Sequence, residues 1–198
     1  MHIFYTSLLT VFLLILSGCS SKESEVQEPI PTVFDSCMIQ SVEAPQWVCG
    51  DATAQNSEQI FDVGQATISK LGTGFTQKEA SAEGKLKLQK QVEELAHEKI
   101  VLFIRKAGLS VGEDIDKTFV VLLSKRISLN VIEKSRVSEY WKNYHLNRAY
   151  SQVVVKKETF RKVTRKKVLL ELREKAVYWE VFKDTNATQV LTQVLEEI

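Results

Sequence analysis

The sequence predicts an α+β domain in which a small antiparallel sheet packs on one long helix, in the order strand, helix, strand, strand, helix. An alternating segment precedes a long stretch of apolar residues at helical spacing, and two alternating segments and a second helical pattern follow. The chain has 198 residues, 44% of them hydrophobic, which is enough for one domain with a real core. No proline follows Pro45 and no second linker occurs, so residues 37–198 are expected to form a single domain.

The chain starts with an uncharged apolar run, residues 3–16, which is too short to cross a bilayer comfortably. Small Ser17 and Gly18 follow it, and then comes Cys19. This order resembles the lipobox of bacterial lipoproteins, which implies that residues 1–18 are a signal peptide that is removed and that Cys19 is the lipidated first residue. Two or three acyl chains would hold the protein on a membrane stably. The alternative is a buried cysteine at the end of a core helix.

Residues 19–36 are rich in Ser, Glu and Pro and poor in large apolar side chains, so they are predicted to be a flexible tether. A flexible coil of this length reaches about 20–25 Å. By resemblance to bacterial lipoproteins, a residue other than Asp after the lipidated cysteine, here Ser20, implies sorting to the outer membrane. We therefore expect the domain to be lipid-anchored there and to face the periplasm.

Cys37 and Cys49 remain as a pair in a compartment that favours oxidation, which predicts a disulfide between them. The bridge would close a loop of about a dozen residues and stabilise the fold by about 3 kcal/mol through its effect on the unfolded chain. Two separate buried thiols are the alternative. A metal site is disfavoured because no histidine lies nearby in the sequence.

The first predicted element of the domain is a strand in residues 57–67, with Phe61 and Val63 on one face. Gly64 in this strand permits a close approach of another segment or a bulge.

A long helix follows, and it is the strongest secondary-structure prediction. Thr76 and Glu79 have the spacing of a capping box, which predicts a start at Thr76, and Gly108 predicts the end. Its apolar face is formed by residues at three- and four-residue spacing: Leu88, Val92, Leu95, Ala96, Ile100, Phe103, Ile104 and Ala107.

Periodicity does not distinguish helix from strand in residues 118–126. Alternation then predicts a long, interrupted strand over residues 127–141, which pairs with a valine-rich strand to make a hairpin spanning residues 127–156. Residues 157–164 fit neither pattern. Five apolar residues predict one face of a final helix: Val168, Leu169, Leu172, Ala176 and Trp179.

The lipobox, "APQWV", "DVGQA", the alanine-rich helix entrance and the late "AYSQVVV" strand resemble the LPP-twenty family of outer-membrane lipoproteins. The resemblance covers most of residues 45–156. Departures are Gly84 and Lys85, where the family's helix usually carries Ala and Arg, and the basic C-terminal part. The resemblance implies an outer-membrane location and an association with motility through a ring or disk at the flagellum.

Two candidate interaction sites stand out. Trp47 lies close to Cys49 and is interpreted mainly as a core side chain that covers the disulfide, with a ligand-binding aromatic as the alternative. Residues 156–175 carry nine Lys or Arg against three Glu, and such a run is either a solvated face or a surface for an acidic partner, lipid or a second copy. The basic candidates are Lys156, Lys157, Arg161, Lys162, Arg165, Lys166 and Lys167.

The residues that an enzyme needs are scarce. After Cys19, only His97 and His145 could act as imidazole bases, and there is no Gly-rich phosphate loop or G-x-S-x-G elbow. Glu94 and His97 match half of a di-metal helix motif, but Lys142 precedes His145 where a second Glu is needed. The sequence therefore predicts no enzymatic activity, no cofactor and no metal.

The leading interpretation is a structural lipoprotein whose copies assemble with themselves or with envelope partners around acylated Cys19. The alternative is a regulatory lipoprotein that binds and activates a periplasmic cell-wall synthesis enzyme. A net charge of +1 and the predicted compartment argue against nucleic acid as a partner.

Overall fold

The computed structural model of the protein describes residues 36–49, 58–183 and 186–198. Asp35–Ile198 forms one compact unit. The predicted signal peptide, the lipidation site at Cys19 and the tether up to residue 35 lie outside the described residues.

The described chain contains five strands, five α-helices and a short 3-10 turn. The strands are β1 Ser36–Ile39, β2 Val42–Pro45, β3 Gln59–Thr67, β4 Arg136–Asn143 and β5 Arg148–Lys156. The helices are α1 Thr73–Lys106, α2 Lys117–Ile132, α3 Lys157–Glu174, α4 Ala176–Phe182 and α5 Ala187–Glu196, and the 3-10 turn is Gln46–Cys49. The α+β class predicted by the sequence is confirmed.

The main sheet has three antiparallel strands in the order β3-β5-β4, with β5 in the centre. Every residue of β5 except its two ends is buried, which explains its run of β-branched valines. A bulge between Val137 and Glu139 shifts the register of β4, within the stretch that the sequence predicts to alternate regularly. The short β1–β2 hairpin forms a separate two-stranded sheet that the sequence did not predict.

Helix α1 lies directly against the backbone of β3, and two glycines allow this approach. A Cβ on Gly64 would collide with the backbone of the helix at Ala80 and Gly84, and a Cβ on Gly84 would lie 2.8 Å from Val153 Cγ2. The expected close approach at Gly64 is therefore confirmed. Gly84 faces Gly64 across this contact, and the absence of a side chain at both positions lets the two backbones approach.

The capping box predicted at the start of α1 is wrong. The helix begins at Thr73, and Gly72, with a φ of 106°, precedes it without a side-chain cap. The hydroxyl of Thr76 accepts a hydrogen bond from Ser69 N and donates to Gly72 O, so it fastens the preceding loop. The predicted end at Gly108 is confirmed, because the amides of Gly108 and Leu109 fold back onto the carbonyls of Arg105 and Ile104 in a Schellman arrangement.

The predicted strand over residues 127–141 is wrong in its first half, since residues up to Ile132 belong to α2. The helix starts at an Asp116 cap, whose carboxylate accepts from Thr118 N at 2.7 Å. Its buried residues recur at helical spacing, and two of them are serines. They are Phe119, Val120, Leu123, Ser124, Ile127, Ser128 and Val131. The actual hairpin is therefore β4–β5, and two helices, rather than one, precede it.

The C-terminal part also differs from the prediction of one continuous helical face. Residues 157–164 are helical, but the helix ends at Glu174 and the chain turns at Lys175 before α4. Ala176 is consequently exposed, whereas Val168 and Leu172 are buried. Phe182 at the end of α4 stacks on Phe103 of α1, with ring centroids 5.1 Å apart, and brings the C-terminal helices onto the core.

Candidate interaction surfaces

The N-terminal hairpin is closed by the predicted disulfide. Cys37 and Cys49 are bonded, with their Cα atoms 6.3 Å apart, so the fold brings the pair within ordinary disulfide geometry. The bridge joins β1 to the end of the 3-10 turn, which contains Trp47. The prediction of a disulfide is confirmed.

Trp47 packs into a small second core and does not project from the surface. Its side chain is 6% exposed and clusters with Ala44, Val48 and Tyr150. Trp141 borders this cluster, its ring centroid 5.5 Å from that of Tyr150. The tryptophan therefore attaches the hairpin to the sheet, and its indole is not presented to a ligand.

Removing the disulfide by Cys37→Ser together with Cys49→Ser should lower the free energy of unfolding by about 3 kcal/mol. Without the bridge, the unfolded chain regains the conformational entropy that closing the loop removes. Urea denaturation under oxidising conditions measures this loss. The wild-type protein treated with a reductant should show the same midpoint as the double variant. Equal stability of all three samples would contradict a structural role for the bridge.

The basic segment of residues 156–175 divides into inward and outward side chains. Arg161 donates to the backbone oxygens of Leu195 and Ile198, at 3.0 and 3.1 Å, and so fastens the C-terminal end of the chain to α3. Arg173 lies over the Trp179 ring, 5.5 Å from its centroid. Glu171, which is 8% exposed, accepts from Arg126 at 2.7 Å. Arg161, Glu171 and Arg173 therefore stabilise the packing of α3 against α2 and the helices that follow.

The outward members form a strip that begins at the end of β5 and continues along the solvent side of α3. Lys156, Lys162 and Lys166 are exposed, and Lys157, Arg165 and Lys167 flank them half-buried. The chain as a whole is nearly neutral, so any attraction to an anionic surface has to come from a local group of charges such as this strip. The five lysines among the seven basic residues singled out in the sequence remain available to a partner, whereas Arg161 bonds the C-terminal end and Nε of Arg165 is buried.

The two edges of the main sheet differ in their protection. Side chains of α1 cover the outer edge of β3, because Glu83 accepts from Gln65 N at 2.7 Å and Lys87 donates to Val63 O at 3.1 Å. Glu83 and Lys87 also form an ion pair at 3.0 Å. In the described part of the chain no strand pairs with the outer edge of β4, so this edge is the one open to another strand.

A groove of about 490 Å³ lies between α1 and α2, and sequence reasoning did not find it. Its apolar walls include Leu86 and Val121, whose side chains are 67% and 49% exposed. Glu93, Glu94 and His97 supply its polar wall. The available signal was the apolar Leu86 on the outward face of α1, which departs from an otherwise polar pattern.

Glu94 and His97, the two residues of the half-motif, line this groove together with Glu93. Over residues 36–49, 58–183 and 186–198 there is no group of three or more His, Cys, Asp or Glu side chains able to hold a metal ion. His145 lies in the β4–β5 turn, on a different part of the fold from His97.

None of the helices in the described ranges combines the length and the apolar character needed to span a bilayer. Comparison of the sequence with protein-family models and with curated proteins found no match.

Proposed function

We propose that the protein is an outer-membrane lipoprotein with a structural, non-enzymatic role in the assembly of the cell envelope. The observation that carries the proposal is the order apolar run, Ser17, Gly18, Cys19, followed by a polar tether and then by the compact domain. The disulfide in the domain agrees with a compartment outside the cytoplasm.

The surfaces of the domain support an assembly role. The unprotected edge of β4 suits the addition of a strand from a neighbouring protein or a second copy. The lysine strip of α3 suits an acidic envelope partner. In this proposal the acyl chains determine the location, and these two surfaces make the contacts.

The resemblance to the LPP-twenty family extends the proposal to a ring or disk that surrounds the flagellum at the outer membrane and is needed for motility. In that setting the partners are further copies of the chain or other envelope proteins, with membrane lipid bound through acylated Cys19.

Replacing Cys19→Ala should abolish incorporation of labelled palmitate and release the protein from the membrane fraction, since no thiol remains at the lipidation position. Ser20→Asp is the matched control, because it keeps the cysteine and should move the protein from the outer to the inner membrane. Palmitate labelling measures acylation, fractionation of the envelope measures the location of the protein, and swimming assays measure motility. Normal membrane retention and normal motility of the Cys19→Ala variant would refute the proposal.

A further inference from the structure

One end of the main sheet exposes three large apolar side chains from two separate loops. Leu71 and Phe75, at the entrance of α1, are 76% and 42% exposed, and Tyr144 in the β4–β5 turn is 68% exposed. Backbone contacts hold these loops together, since Ile68 N donates to Asn147 O at 3.2 Å. We define residues 67–78 and 142–148 as the sheet tip.

The sheet tip is strongly positive, unlike the chain as a whole. It carries Lys70, Lys78, Lys142 and Arg148, all exposed, and no Asp or Glu. The complete chain has 26 Lys and Arg against 25 Asp and Glu, so this segregation is local. The tip therefore attracts anions through its own local charge.

The apolar and basic side chains of the sheet tip are interleaved. Lys142 Nζ lies 5.1 Å from the centroid of the Tyr144 ring. The side-chain hydrogen bond with Tyr144 raises the pKa of Lys142. An apolar ring beside a lysine suits the boundary between lipid headgroups and acyl chains. The ring can enter the acyl-chain side of this boundary while the lysine contacts anionic headgroups.

The N-terminal hairpin contacts the main sheet close to the sheet tip. The β1–β2 hairpin packs on Tyr150, which is two residues from Arg148 of the sheet tip. Lipid attached at Cys19 would bring the compact unit Asp35–Ile198 to the same membrane surface that the sheet tip contacts. This one step rests on the proposed lipidation, whereas the exposure and charge of the tip do not.

We propose that the sheet tip is a second membrane-contact site, which inserts Leu71, Phe75 and Tyr144 into the surface of a bilayer containing anionic phospholipid. The tip orients the domain on the membrane that the acyl chains select. The exposed apolar residues Leu86 and Val121 lack this purely basic surrounding, because the groove that they border is also lined by Glu93 and Glu94.

Sedimentation with vesicles tests the proposal on a chain of residues 20–198, which lacks Cys19 and contains the whole compact unit Asp35–Ile198. The wild-type chain should bind vesicles of phosphatidylethanolamine and phosphatidylglycerol at least tenfold more tightly than vesicles of phosphatidylcholine. The variant Leu71→Ser/Phe75→Ser/Tyr144→Ser should bind the anionic vesicles at least tenfold more weakly. Lys70→Gln/Lys142→Gln should lose roughly fivefold per lysine at low salt, because each basic residue near such a surface contributes about 1 kcal/mol.

The matched control is Leu86→Ser/Val121→Ser/Leu170→Ser, which removes three exposed apolar residues elsewhere and should leave binding unchanged. Equal thermal melting of all variants excludes misfolding as the cause of a loss. The proposal is overturned if the wild-type chain does not bind anionic vesicles, if the control loses as much as the tip variant, or if the tip variant only prevents self-association. Because Cys19 is absent from every sample, these outcomes are independent of the lipidation test.

Discussion

Replacing Gly64→Ala should lower the free energy of unfolding by at least about 3 kcal/mol, the upper end of what overpacking usually costs. The added Cβ would overlap the carbonyl oxygen of Ala80 and the backbone nitrogen of Gly84, and it would lie 2.8 Å from Gly84 Cα. These are backbone atoms, so no side-chain rotation relieves the overlap. The helix has to move off β3, which opens the main contact between sheet and helix.

Two glycines of α1, the helix that packs on Gly64, provide graded controls. Gly84→Ala places its Cβ 2.8 Å from a methyl group of Val153 and 3.0 Å from Gly64 N, and alanine is the better helix former by about 1 kcal/mol, so the expected loss is smaller. Gly74→Ala meets nothing within 4 Å and should change stability by less than about 1 kcal/mol.

Equilibrium denaturation in urea, followed by far-UV circular dichroism, measures the three variants. The expected order of destabilisation is Gly64→Ala, then Gly84→Ala, then Gly74→Ala. A Gly64→Ala protein as stable as Gly74→Ala would mean that the backbones of β3 and α1 do not touch.

The elements that the sequence predicts well are those whose local pattern agrees with their burial. In α1, Val92, Ala96, Ile100 and Phe103 form one helical stripe and all are buried. In β3 and β5 the alternation and the valine run correspond to paired strands. Local pattern and tertiary environment point to the same structure in these segments.

Helix α2 was missed because its buried face contains polar residues. Ser124 donates to Val120 O at 2.7 Å and Ser128 donates to Lys125 O at 2.9 Å, so both hydroxyls are satisfied within the helix and the serines can be buried. Ser128 between Ile127 and Leu129 then imitates the alternation of a strand. Leu129, which the strand pattern grouped with Ile127, is in fact 46% exposed.

The interaction surfaces were predicted only where they are local in sequence. The disulfide and the lysine strip come from short segments and could be inferred from composition and compartment. The sheet tip joins Leu71 to Tyr144, and the groove joins Leu86 to Val121, across long sequence separations. Those juxtapositions depend on the strand order β3-β5-β4 and on the packing of α2, which pattern alone did not provide.

Replacing Trp47→Ala should release the N-terminal hairpin from the sheet, with a loss of about 3–5 kcal/mol in the stability of that contact. The indole is 6% exposed and is the largest member of the cluster that joins the hairpin to Tyr150. The disulfide still closes the hairpin in this variant, so the hairpin keeps its own pairing but loses its attachment. Hydrogen exchange should rise in residues 36–49, while α1 and β5 remain protected by their separate core.

Met38→Ala is the matched control, because Met38 lies on the same hairpin but is 64% exposed and should change exchange little. If Trp47→Ala leaves exchange in residues 36–49 at the wild-type rate, Trp47 does not attach the hairpin. If it raises exchange equally in α1, the two clusters unfold as one unit. The expected release is local because Trp47 belongs to the small cluster around Tyr150, which is separate from the main core.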